Sequence, residues 1–190
     1  MKKIITCAAM LTAAACTESG PDPVYPGLDF VSFSYSAFGG RPGGSFLAAG
    51  DNGPEDARIA LGDWAGAQVP GSASTPVMVL VGSRSAAGGT YDLLVIHLPR
   101  DARTGAVVDA TLTCEAAPDC AQISLGFGLT SWPGTAEIAC TVRTGQVRVT
   151  TRTERRLFGT FSGTAVCSGA ALGETQITGG VFDVPLHTLP

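Results

Sequence analysis

The chain predicts an all-β domain: an antiparallel sandwich or barrel-like sheet of about ten short strands. Three observations carry this. Apolar residues either alternate with polar ones, the period of a half-buried strand, or run in short unbroken blocks, as in a strand covered on both faces. Turn residues punctuate these stretches at short intervals, with 25 glycines and 12 prolines among 190 residues. No stretch shows the apolar spacing of an amphipathic helix.

The elements follow in order. In "LDFVSFSYSA" (28–37), Val31, Phe33 and Tyr35 share one side, and "FGGRPGG" turns the chain into "SFLAAG" as a hairpin partner. "ARIALGDW" (57–64) reads as a strand or a short helical turn. "PVMVLVGS" (76–83) and "TYDLLVIHLP" (90–99) are continuous apolar blocks joined by "AAGG". "AVVDATLTC" puts Val108, Ala110, Leu112 and Cys114 on one face, and "AQISLGF" aligns Ile123, Leu125 and Phe127. "TAEIACTVRTG" and "QVRVTTRT" read as two successive strands, the first carrying Ile138, Cys140 and Val142, the second Val147 and Val149. "RLFGTFSGTAVCSG" aligns Leu157, Phe161, Ala165 and Cys167, and "TQITGGVFDVPL" closes with Phe182, Val184 and Leu186.

The N-terminus reads differently. Lys2 and Lys3 precede an uncharged segment, Ile4 to Ala15, too short to span a bilayer but suited to a secretory signal. Ala13, Ala14 and Ala15 lead directly into Cys16. This resembles the lipobox of bacterial lipoproteins, with Ala13 where the usual pattern has leucine. The resemblance implies a signal peptide over 1–15 and a diacylglyceryl group on Cys16, which becomes the first mature residue. The same three alanines also satisfy ordinary A-x-A cleavage, which would give a secreted chain. "TESGPDPVYPG" (17–27), with three prolines, reads as a tether, so the expected organisation is 1–15 signal, 16–27 lipidated tether and 28–190 a single β-domain. The expected location is the cell envelope, anchored to a membrane that is most simply the outer one.

Composition excludes several activities. Lys2 and Lys3 are the only lysines, so the mature part has ten arginines against sixteen acids, a formal −6. That balance argues against nucleic acid as a partner. Without lysine there is no P-loop, no Schiff-base chemistry and no S-x-x-K hydrolase. No G-x-S-x-G elbow is present, and Gly126-Phe127-Gly128 reads as a β-turn. His97, in an apolar strand, reads as a hydrogen-bonded core or edge residue, and His187 lies in the C-terminal tail. Asp51, Glu55, Asp56 and Asp63 lack calcium-loop spacing and read as a solvated acidic loop.

Cys114, Cys120, Cys140 and Cys167 are an even set in an exported domain, which favours disulfides over zinc. Cys114 and Cys120 bracket a short turn, and Cys140 and Cys167 fall on core-facing positions of neighbouring strands. The expected bridges are therefore Cys114–Cys120 and Cys140–Cys167. No cofactor and no metal is expected. Trp132, in "SWPG", is a candidate surface aromatic contact; Trp64 and Trp132 together would make a stacking platform, and rim or core packing is the plainer alternative.

"RRLFGTFSGTAVCSG" followed by "ETQITGGVFDVPL" resembles the ending of a group of uncharacterised bacterial lipoproteins, and "FSYSAFGGRPGGSFLAAG" is similar to their first hairpin. These motifs are glycine turns and core phenylalanines, so the resemblance implies an all-β fold and transfers no activity. The expectation is a lipid-anchored, non-catalytic binding or structural module whose partner is a protein, a glycan or a small apolar ligand. The alternative is an exported hydrolase without a recognisable motif.

Overall fold

The computed structural model describes residues 29–50, 61–70, 76–114 and 119–188. Ten strands carry them: β1 (Phe30–Tyr35), β2 (Gly44–Ala49), β3 (Trp64–Val69), β4 (Val77–Ser85), β5 (Tyr91–Pro99), β6 (Val107–Thr111), β7 (Gln122–Leu129), β8 (Ile138–Arg152), β9 (Arg156–Gly169) and β10 (Gly173–Thr188). The all-β expectation holds. A single helical turn, Ala87–Gly89, forms the "AAGG" connection between β4 and β5.

Hydrogen bonding arranges the strands in two layers. One runs β2-β1-β10-β9-β8-β6, the other β3-β4-β5-β7. Two corners stitch them together. The start of β8 pairs with β7, from Phe127↔Ile138 to Ser124↔Thr141. The end of β10 pairs with β3, from Leu186↔Ala67 to Thr188↔Val69. The result is a flattened barrel whose closed circuit is β3-β4-β5-β7-β8-β9-β10. That circuit has an odd number of strands, and alternating directions cannot close an odd ring. One like-directed pair is therefore obligatory. It is β10 with β3, the one parallel pair among these strands.

The long strands turn both corners because bulges bend them. In β8, Arg143 and Thr144 are both exposed, and the pairing with β9 shifts between Val142 and Thr144. Buried positions switch there from Ile138, Cys140 and Val142 to Val147 and Val149. The two stretches read as separate strands are thus one strand of 15 residues. Gly145 allows close approach instead: a Cβ there would lie 2.9 Å from the Gly163 Cα of β9. A similar shift between Ile177 and Gly180 bends β10.

Two other expectations need correction, and one strand was not read at all. That strand is β3, "WAGAQV", which begins at Trp64, the last residue of the ambiguous "ARIALGDW" segment, whose residues 57–60 lie outside the described residues; β3 is buried along its whole length. Small residues suit it: Ala65 and Ala67 face the main core, and a Cβ on Gly66 would lie 3.4 Å from the Trp64 ring. Gly126-Phe127-Gly128 lies inside β7 and makes a bulge: Tyr91 pairs with Leu129 but Leu93 with Gly126. Gly128 has φ +71°, a conformation glycine tolerates without a Cβ penalty. β6 ends at Thr111, so Leu112 is exposed while Val108 and Ala110 stay buried.

The core fills the space between the layers. Phe33 stacks on Phe46 with ring centroids 4.9 Å apart, Phe161 meets Phe33 edge-on at 5.7 Å, and Phe161 lies 6.4 Å from Phe182. Gly82 of β4 lies under the β1–β2 hairpin, where an added Cβ would run into Val31 and Ala48. Both expected disulfides are present. Cys140 and Cys167 face each other across β8 and β9 with Cα atoms 4.0 Å apart. Cys114–Cys120 closes the turn after β6, Cα to Cα 5.8 Å.

Candidate functional site

Polar side chains inside the barrel are engaged structurally. Asp92 is 3% exposed and shares strand parity with the core residues Leu94, Ile96 and Leu98. Its Oδ2 accepts from Arg84 Nη2 at 2.8 Å and Nε at 3.1 Å, and its Oδ1 accepts from the Gly128 N–H of the bulge at 3.3 Å. The Arg84 guanidinium lies over the Phe46 ring, 4.9 Å from its centroid, and donates to the Ser45 carbonyl. This ion pair ties β4, β5, β7 and β2 together at one end of the barrel. It was missed in the sequence, although Arg84 and Asp92 stand opposite each other across the Ala87–Gly89 turn. Counting outward from the turn would have found it.

Two of the other singled-out residues, His97 and Asp63, are hydrogen-bonded. His97 Nδ1 lies 3.3 Å from Gln122 Oε1, so the expected hydrogen bond is there, in a half-buried position on β5, a strand paired on both sides. His187 lies in β10, not in a tail, and is exposed. Asp63 accepts from the Ser85 N–H at 2.7 Å and from the Ser85 hydroxyl at 2.9 Å. Asp51, Glu55 and Asp56 lie outside the described residues, as do Cys16 and the whole of 1–27. Among the described residues, no buried side-chain nitrogen or oxygen lacks a hydrogen-bond partner.

The two tryptophans have different fates. Trp64 is 3% exposed and packs with Val81, Leu93 and Leu129 in a small apolar cluster on the outer face of the four-stranded layer. It therefore forms no platform with Trp132. Trp132 sits in the connection between β7 and β8, which crosses that same face. Ala136 of this connection packs onto the outer cluster, and Gly126 makes room for it: a Cβ on Gly126 would lie 3.3 Å from the Ala136 Cβ. The Trp132–Pro133 peptide bond is cis. Beside the indole is a groove of about 380 Å³, floored by Leu93 and Val95 and edged by Ser124 and Thr135. Trp132 remains 41% exposed at its rim. The groove thus offers an apolar floor, an aromatic face and two hydroxyl-bearing residues.

Fold and site together define a disulfide-stapled, flattened β-barrel with a packed interior and an aromatic-rimmed groove on its outer face. Comparison with protein-family models, with curated proteins and with solved structures gives no match.

Proposed function

We propose that the chain is an exported, lipid-anchored, non-catalytic binding module of the cell envelope, and that the groove beside Trp132 is its contact for a glycan. The carrying observation is the groove itself. A saccharide presents an apolar face ringed by hydroxyls, and an exposed indole next to Ser124 and Thr135 suits both. The two disulfides support an oxidising compartment, and the signal-like N-terminus with Cys16 supports the anchor.

Titration with soluble N-acetylglucosamine oligomers, followed by tryptophan fluorescence, tests the site. Trp64 is buried, so a ligand-dependent change should come from Trp132. Trp132→Ala should weaken binding by more than about tenfold, as loss of an aromatic anchor does. It should leave the denaturant midpoint almost unchanged. Equal binding by both proteins would remove Trp132 from the site.

The anchor is tested separately. Metabolic labelling with a palmitate analogue should tag the wild type and not Cys16→Ser. Equal labelling of the two would exclude lipidation at this cysteine.

A further inference from the structure

The barrel end opposite the Arg84–Asp92 pair carries a local charge opposite in sign to that of the molecule. A concavity of about 1020 Å³ opens there, lined by Arg100, Arg103, Arg152 and Arg155 against Asp101 and Glu154. Four arginines against two acids give a formal +2, on a mature chain of −6. Chain direction explains the convergence. β5 ends into the connection bearing Arg100 and Arg103, and β8 ends at Arg152 before the tight turn to β9 bearing Arg155.

Arg152 is built in, while Arg103 and Arg155 face solvent. Arg152 Nη1 donates to the carbonyls of Arg100 and Ala102, each at 2.7 Å, and so pins the 100–103 backbone across the mouth. Partial burial lowers its pKa; Asp101 opposes that shift and Arg100 adds to it. An anion in the mouth would relieve the repulsion between these cations. Arg103 and Arg155 are exposed, and among the described residues neither side chain has an acidic partner within salt-bridge distance. Arg156, next in sequence, is occupied: it pairs with Asp183 and, at 3.0 Å, with Asp29.

That last contact places the point of attachment. Asp29 is the first described residue and pairs with Arg156, beside Arg155. Twelve residues separate Cys16 from Asp29. Fully extended they reach at most about 43 Å. On the lipid-anchor reading, on which this step rests for its geometry, the tether joins the domain at the arginine-lined end, which is thereby within reach of the bilayer.

We propose that this mouth is a membrane-docking surface for the phosphate groups of anionic lipid headgroups. Arg103 and Arg155 make the contacts, while Arg152 adds to the surrounding positive field. Guanidinium groups suit phosphate because their paired N–H groups match two of its oxygens. Docking would hold the outer-face groove at a set height above the membrane instead of leaving the domain to swing on its tether.

The test uses the mature chain with Cys16→Ser, exported behind a cleavable leader, so that no acyl group contributes. Failure of docking and failure of lipidation are then separate results, the second read only by palmitate labelling. Co-sedimentation should be stronger with phosphatidylcholine vesicles containing phosphatidylglycerol than with phosphatidylcholine alone, and should fall as salt rises. Arg103→Gln with Arg155→Gln should weaken it about thirty-fold, from about 1 kcal/mol per basic residue near an anionic surface. Arg143→Gln, whose ion pair with Glu174 lies toward the other end, should have no effect. If the double variant does not fold, Arg103→Gln alone should show about a five-fold loss. Equal binding to both vesicle types, or indifference to these substitutions, would overturn the proposal. So would saturable binding of soluble glycerol phosphate at the same arginines without a preference for anionic vesicles, which would make the mouth a pocket for a free anion.

Discussion

Phe161→Ala is expected to destabilise the domain by about 3–5 kcal/mol, the range for truncating a buried phenylalanine without collapse of the cavity. Phe161 is 3% exposed and central to the aromatic core, between Phe33 of β1 and Phe182 of β10. Collapse is restricted because glycines lie behind it: the Phe161 ring and its backbone carbonyl crowd Gly180, and Phe182 covers Gly159. Phe158, on the opposite face of β9, is only half-buried, so Phe158→Ala should cost clearly less. Denaturant melts of the two variants with disulfides intact compare the faces directly. A larger loss for Phe158→Ala would mean that β9 is slipped by one residue, since such a slip exchanges its faces.

Removing the Cys140–Cys167 bridge as a pair, Cys140→Ala with Cys167→Ala, should cost about 3–4 kcal/mol by loop-closure entropy in the unfolded chain. The corresponding figure for Cys114→Ala with Cys120→Ala is about 2.4 kcal/mol, because its loop is much shorter. Packing widens the gap. Cys140 and Cys167 are both buried in the main core, whereas Cys114 lies outside it and Cys120 is half-buried. Equilibrium unfolding of both double variants without reductant should show this order. The reverse order would mean that the short turn after β6 contributes more to folding than the β8–β9 seam does.

What could be read in the sequence followed what local pattern records. The inward parity of Val31, Phe33 and Tyr35, of Leu157 and Phe161, and of Phe182 and Val184 is a period-two signal, and the structure keeps it. That parity also placed Cys140 opposite Cys167. Bulges broke the reading. A bulge changes parity without ending a strand, so β8 read as two elements and Gly128 as a turn. β3 escaped because Ala65, Gly66 and Ala67 carry no β-branched signal; their small size answers to neighbours in space, not in sequence.

The candidate site was legible only in part. Trp132 stood out as an aromatic beside a proline and glycine, and it is exposed as a turn residue would be. The groove beside it could not be read, because its floor comes from β5 and its edge from β7, about thirty residues apart in the chain. The arginine mouth was less visible still. Arg100 and Arg103 are far along the chain from Arg152 and Arg155, and the arginines are spread out, with Arg155-Arg156 their only adjacent pair.

The like-directed β3–β10 seam also orders assembly in time. Its partners, Ala67 to Val69 and Leu186 to Thr188, are more than a hundred residues apart, and the second set comes at the end of the final described strand. A ribosome delivers the second set after the other nine described strands. The hairpins β1–β2, β4–β5 and β8–β9 can form as they emerge, but the circuit has to wait for β10. Until then, the outer edge of β3 presents unpaired backbone groups, and such an edge invites pairing with other chains. The nascent domain is therefore most exposed to mispairing in the interval when the other nine described strands exist and their clasp, β10, does not.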